Sequence, residues 1–141
     1  MAASSSGASE RPGKRRILIV DDEEDMRDLL KAILEGDYHV AEADSGAALH
    51  KALDAEQPDV VLLDMKLPDA NGLGLLPAIK QRWPATEVIM LSGTPTNGGP
   101  ASWTTEATKS GAFGFLSKSA AFSFPEVLHC VSSALERRSQ A

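Results

Sequence analysis

The sequence predicts an α/β protein: a doubly wound, five-stranded parallel sheet with helices on both faces. Two observations carry this prediction. Five short apolar runs rich in Val, Ile, Leu and Phe recur along the 141 residues, and runs of that length suit strands buried on both faces. Between them the apolar residues repeat at helical spacing. Strict alternation of strand and helix means parallel strands joined by right-handed crossovers.

Residues 1 to 14 are mostly Ser, Ala, Gly and Pro without periodicity and read as a disordered tail. A tail opening at Met1 suits an authentic N-terminus. The first strand is Ile17-Leu18-Ile19-Val20. Met26, Leu29, Leu30, Ile33 and Leu34 then recur at i, i+3, i+4, i+7 and i+8, one face of a helix. Tyr38 to Ala43 is the second strand, after which Asp44 looks like a helix cap. Ala48, Leu49, Ala52 and Leu53 mark the second helix. Val60-Val61-Leu62-Leu63 is the third strand, and Leu75, Leu76, Ile79 and Trp83 mark the third helix. Pro77 costs that helix a hydrogen bond or kinks it, unless it falls within the first turn. Val88 to Leu91 is the fourth strand, residues 102 to 110 a weaker helix, and Phe113 to Leu116 the fifth strand.

Ser123-Phe124-Pro125-Glu126 is a capping box that opens the last helix, with Phe122 stapled onto Val127. Its inner face is Val127, Leu128, Val131, Ala134 and Leu135. One domain spans residues 15–138, residues 139–141 form a C-terminal tail, and no second domain is expected.

Composition removes several classes of function. Hydrophobic residues make up 43% and charged residues 24%, as in ordinary globular domains. The apolar runs are too short to span a bilayer, and the N-terminus lacks the pattern of a secretory signal. A single cysteine, Cys130, excludes an internal disulfide and fits a reducing, cytoplasmic setting. The net charge of −6 divides into +3 over the first 16 residues and −9 over the rest. So acidic a body is a poor partner for nucleic acid.

In a doubly wound sheet, ligands bind outside the carboxyl ends of the strands. Asp21 and Asp22 follow the first strand, Asp64 the third, Ser92 the fourth, and Ser117 and Lys118 the fifth. Singly, each has a bland reading: Asp22 as a helix cap, Asp64 as a turn residue before the loop Leu67 to Gly72, Lys118 as a solvated charge. Jointly they deliver three carboxylates, the Ser92 hydroxyl and an ammonium to one rim, with Ser117 next to the last. Two carboxylates about 4 Å apart repel by roughly 1 kcal/mol in water and about 4 kcal/mol at an effective dielectric near 20. Three beside Glu23, Glu24 and Asp25 call for a cation, and Mg²⁺ suits a site with few protein ligands. Carboxylate, hydroxyl, ammonium and Mg²⁺ together fit in-line phosphoryl transfer.

At these residues the chain resembles the receiver domains of bacterial two-component response regulators. The resemblance rests on Asp21-Asp22, on Asp64 after Val-Val-Leu-Leu, and on Met65 to Gly72. It continues in Ser92-Gly93 and in Gly111 to Lys118, with 42 residues from Asp22 to Asp64 and 28 from Asp64 to Ser92. It implies a flavodoxin-like (βα)5 fold with strand order 2-1-3-4-5. It further implies that Asp64 takes a phosphoryl group from a sensor histidine kinase or a phosphotransfer protein. Asp22, Asp64 and the Met65 backbone carbonyl would bind Mg²⁺, with Asp21 acting mainly through water. Lys118 would pair with the acyl phosphate and the Ser92 hydroxyl with a phosphoryl oxygen. Phe115 would turn inward as Ser92 moves, and Lys66 and Thr94 occupy the positions that tune dephosphorylation.

The resemblance also implies a signalling switch rather than an enzyme with a separate substrate. Its output would be read by another protein at the fourth and fifth strand–helix units, where homodimerisation is a further option. Three departures fall on that side: Lys118-Ser119 in place of Lys-Pro, a longer loop from Thr94 to Pro100, and a longer segment from Ser119 to Ser123. They keep open a module that binds partners without being phosphorylated. A small-molecule phosphatase of the same fold class would need a cap insertion, and no segment is long enough. Cys130 reads as a small buried hydrophobe. His39, His50 and His129 share no ligand spacing. The Gly-rich residues 93 to 99 lack a phosphate-cradling motif, Trp103 is core or partner contact, and Arg11 to Arg16 is a solvated lead-in.

Overall fold

The structure, a computed structural model, describes residues 15–92, 102–118 and 124–140. Strand and helix alternate throughout: β1 (Arg16–Val20), α1 (Glu24–Leu34), β2 (His39–Ala43), α2 (Gly46–Ala55), β3 (Val60–Asp64), α3 (Gly72–Arg82), β4 (Glu87–Ser92), α4 (Ser102–Lys109), β5 (Ala112–Ser117) and α5 (Phe124–Gln140). All strand pairs are parallel, in the order β2-β1-β3-β4-β5. The order reverses between β1 and β3, so a crevice opens at their carboxyl ends.

Side chains alternate across a strand, and here the alternation divides the core in two. Ile17, Ile19, Val60, Leu62, Ile89 and Leu91 face α1 and α5, where Leu30, Ile33, Leu34, Val127, Val131, Ala134 and Leu135 meet them. Leu18, Val20, Val61, Leu63, Val88 and Met90 face α2, α3 and α4, against Leu49, Leu53, Leu75, Leu76, Ile79 and Ala107. Burying each large aliphatic chain contributes about 1.5–3 kcal/mol, so the central strands hold the rim residues on a stiff base. Among the described residues no helix is long and apolar enough to cross a membrane.

The structure corrects several local expectations. β2 is not buried on both faces: His39, Ala41 and Glu42 are exposed, because β2 lies at the sheet edge and only α2 and α1 flank it. Leu29 points outward from α1, one position outside the buried stripe. Ser45, not Asp44, caps α2, its hydroxyl accepting from Ala48 N–H at 3.1 Å. Asp22 caps nothing; Glu23 holds the N-cap position of α1 without a side-chain hydrogen bond. Pro77 falls in the second turn of α3, not its first, and has no N–H for the carbonyl of Leu73. α5 continues to Gln140, past the expected start of the tail.

β5 contains an irregularity. Val88 pairs with Ala112 but Ile89 with Gly114, so one extra residue enters β5 at Phe113. Phe113 consequently packs toward α5 while Phe115 packs on the opposite layer. The expectations for Thr94 and residues 93–100, for Ser119, Phe122 and Ser123, and for the Trp103 side chain lie outside the described residues.

Candidate functional site

β1 and β3 are neighbours in the sheet, so the residues leaving their carboxyl ends meet. Carboxylate oxygens of Asp21, Asp22 and Asp64 all lie within 4.8 Å of one another. Asp21 and Asp64 are buried and Asp22 is exposed, which sets two carboxylates in the floor and one at the solvent side.

Asp21 is held from three directions. Its N–H donates to the Ala43 carbonyl at 3.0 Å. Its Oδ1 accepts from Glu23 N–H at 2.8 Å, and its carbonyl accepts from the Arg27 guanidinium at 2.7 Å. Arg27 also pairs with Glu42 at 3.1 Å, tying α1 to β2 beneath the site. Asp64 ends β3. Its Oδ1 accepts from Lys66 N–H at 3.3 Å, and the next residue is pinned to β4 by Met65 N–H to the Leu91 carbonyl at 2.9 Å.

Lys118 enters from the end of β5, its backbone N–H donating to the Ser92 carbonyl at 2.7 Å. Its ammonium lies 2.9 Å from Asp21 Oδ2, 2.8 Å from Glu23 Oε1 and 3.2 Å from Asp64 Oδ2. Asp21 Oδ2 is buried and has this ion pair but no hydrogen bond of good geometry. Burial pulls the Lys118 amine down, but contacts with the Glu23 and Asp21 carboxylates and the charges of Asp21 and Asp64 outweigh it, so the amine stays charged. Burial pushes the Asp64 carboxyl up and the Asp21 charge adds to this, while Lys118 and the Lys66 N–H oppose it.

Three carboxylates, those of Asp21, Glu23 and Asp64, thus share one ammonium, and the Asp22 carboxylate stands beside them. The donors are all oxygens and their excess charge is negative, which suits a small hard dication. The residues therefore fit Mg²⁺.

The loop from β3 to α3 closes the site on the other side. Gly72 N–H donates to the Met65 carbonyl at 2.8 Å, and that carbonyl keeps a second lone pair. A Cβ on Gly72 would overlap the Asp64 carbonyl oxygen and lie 3.1 Å from Met65 Cα. Only glycine permits this approach. Further along, Asp69 accepts from Gly46 N–H at 2.7 Å and Ala47 N–H at 3.0 Å.

The expected residues Asp21, Asp22, Asp64, Met65, Ser92 and Lys118 stand at this one rim. Phe115 is half-buried on the layer of α2, α3 and α4. Among the described residues no histidine joins a metal-binding group. Cys130 is half-buried against the core, and burial followed by the Glu126 charge pushes its thiol up, as suits an inert hydrophobe. The sequence reading did not identify Arg27, Asp69 and Gly72 as site residues, nor Glu23 as a partner of Lys118. The turn-rich stretch around Gly72 was its one visible signal.

An all-parallel α/β sheet with an acidic, metal-fitting crevice at its switch point defines the class as a doubly wound α/β fold with its site at the strand ends. The chain matches the family described as response regulator receiver domain over residues 17–128, and it belongs to that family. It is 37% identical over 105 residues to the chemotaxis protein CheY of Listeria monocytogenes, covering 73% of this chain and 85% of that protein. It is 39% identical over 106 residues to the response regulator protein PilR of Pseudomonas aeruginosa, covering 74% of this chain but only 23% of PilR. The crystal structure of the receiver domain of NtrX from Brucella abortus superposes with a TM-score of 0.76 at 32% identity, covering 85% of this chain and 98% of that one. Receiver domains are phosphoacceptor switches of two-component signalling, and this chain is one of them.

Proposed function

We propose that Asp64 is the phosphoacceptor and that Asp22, Asp64 and the Met65 carbonyl hold Mg²⁺, with Asp21 one step removed. The observation that carries this is the convergence of Asp21, Asp22 and Asp64 within 4.8 Å beside the Lys118 ammonium. An Asp64 carboxylate oxygen attacks the phosphorus of a phosphohistidine. The P–N bond breaks as the P–O bond forms, and the imidazole leaves with the bond's electron pair. Mg²⁺, when bound, neutralises charge on the phosphoryl oxygens. Lys118 exchanges its contact with Asp64 for one with the acyl phosphate, and the Ser92 hydroxyl donates to a phosphoryl oxygen. Water later cleaves the acyl phosphate and restores Asp64.

The donor would be a sensor histidine kinase or a phosphotransfer protein, and Ser92 with Phe115 would pass the change to the β4–α4 and β5–α5 units. These assignments rest on the family and on the geometry of the rim. Incubation with a small-molecule acyl phosphate, with and without Mg²⁺, followed by peptide mass spectrometry tests them. The expected result is a Mg²⁺-dependent adduct on Asp64 that is lost in Asp64→Ala. An adduct that survives this substitution overturns the residue assignment. A folded protein that takes no adduct leaves a phosphorylation-independent docking module.

A further inference from the structure

The β3–α3 loop carries the Met65 carbonyl and begins at Asp64, so its placement sets half of the acidic site. Its ends are held by the Met65 contact with Leu91 and the Gly72 contact with Met65. Within it, Leu67 N–H donates to the Ala70 carbonyl at 3.0 Å, and Lys66 faces Asn71 in an isolated antiparallel bridge. Leu67 and Ala70 pack against the core layer of α2, α3 and α4, but none of these contacts supplies a polar tie from the loop tip to a distant element. Asp69 does so: both its carboxylate oxygens accept N–H groups from the first turn of α2, more than twenty residues away in sequence.

As a helix cap, Asp69 supplements one already present, because Ser45 Oγ takes the Ala48 N–H. A second feature points the same way. A Cβ on Gly46 would lie 3.1 Å from Ala70 Cβ and 3.2 Å from Asp69 Oδ1. An acceptor pair on the loop and a missing side chain on the helix therefore meet at one contact, and together they seat the loop on α2.

We propose that Asp69 is a positioning residue for the phosphoacceptor site. Through Gly46 and Ala47 it fixes the loop, and the loop fixes the Met65 carbonyl and the backbone of Asp64 for the cation and the incoming phosphoryl group. This rests on the reading of Asp64 given above.

The test is calorimetric titration of Mg²⁺ into the wild-type chain and Asp69→Ala, Asp69→Asn, Gly46→Ala and Ser45→Ala variants, with far-UV circular dichroism to confirm folding. Labelling of Asp64 by an acyl phosphate is followed in parallel. Ser45→Ala removes a cap from the same helix without touching the loop. Asp69→Ala and Gly46→Ala are expected to weaken Mg²⁺ binding about tenfold, with Asp69→Asn in between and Ser45→Ala within about twofold of wild type. If Asp69→Ala and Gly46→Ala bind Mg²⁺ like wild type, or if Ser45→Ala weakens it equally, Asp69 is only a cap and the proposal fails. A wild-type chain that binds no Mg²⁺ and takes no adduct overturns the Asp64 reading itself, and the positioning role with it.

Discussion

The Lys118 ammonium lies 3.2 Å from Asp64 Oδ2, from a side chain only 10% exposed to solvent. The same ammonium serves Asp21 and Glu23, so it offsets part of the negative charge of the carboxylate cluster. On the proposed assignment of Asp64, it stands where the acyl phosphate would form.

Lys118→Met is therefore expected to do two things. Labelling of Asp64 slows by about a hundredfold, the scale for losing one preorganised charge in a transition state. Stability in metal-free buffer falls by about 1–3 kcal/mol, below the figure for a fully buried pair because the Glu23 partner reaches solvent. Added Mg²⁺ binds the folded state alone and should narrow this deficit. Thermal melts across a Mg²⁺ series check it; a deficit that stays constant would show that Lys118 and the cation do not share the carboxylates.

Gly72→Ala is expected to cost about 2 kcal/mol or more. The added Cβ meets backbone rather than a flexible chain end, so β3 or the start of α3 must move. Urea denaturation measures the loss. Gly74→Ala is the control, since nothing lies within 4 Å of its added Cβ; equal effects at the two positions would contradict the close-approach argument.

The Asp69 carboxyl is held below the usual carboxylate range by the N–H groups of Gly46 and Ala47. A group whose pKa falls on folding stabilises the native state above its unfolded value. That contribution is lost as pH falls from about 4, the ordinary aspartate value, through the lower native one. The acid limb of the melting curve should be flatter in Asp69→Asn than in wild type. Parallel limbs would mean that the two N–H contacts do not persist in solution.

Phe115→Ala separates the chemistry from its readout. Phe115 packs on the layer of α2, α3 and α4 rather than on the carboxylates. The variant should accept the phosphoryl group at close to the wild-type rate, yet lose the phosphorylation-dependent change in amide shifts along α4 and β5. A full response without the ring would place the coupling elsewhere.

Much of the architecture was legible because it depends on periodicity alone. Short apolar runs alternating with helical periods suit interior parallel strands, and the acidic and cationic residues directly after them mark the carboxyl rim of the sheet. Where edges interrupt that logic, the reading weakened. The run from Tyr38 to Ala43 resembles an interior strand in composition, and only the sheet order reveals that β2 has no neighbour on one side.

By itself the sequence determined the fold class, the strands and helices in order, and the identity of the rim residues Asp21, Asp22, Asp64, Ser92 and Lys118. Each of these is read from local periodicity and from the residues that stand directly after each apolar run. Only the tertiary structure decided that Glu23 shares Lys118 with two aspartates, that Gly72 must lie against the Asp64 carbonyl, and that Asp69 takes the N–H groups of a helix more than twenty residues earlier. It also decided that the extra residue in β5 turns Phe113 and Phe115 to opposite layers. Such contacts join segments far apart in sequence. Their geometry depends on the register and spacing of packed elements, which local pattern does not encode.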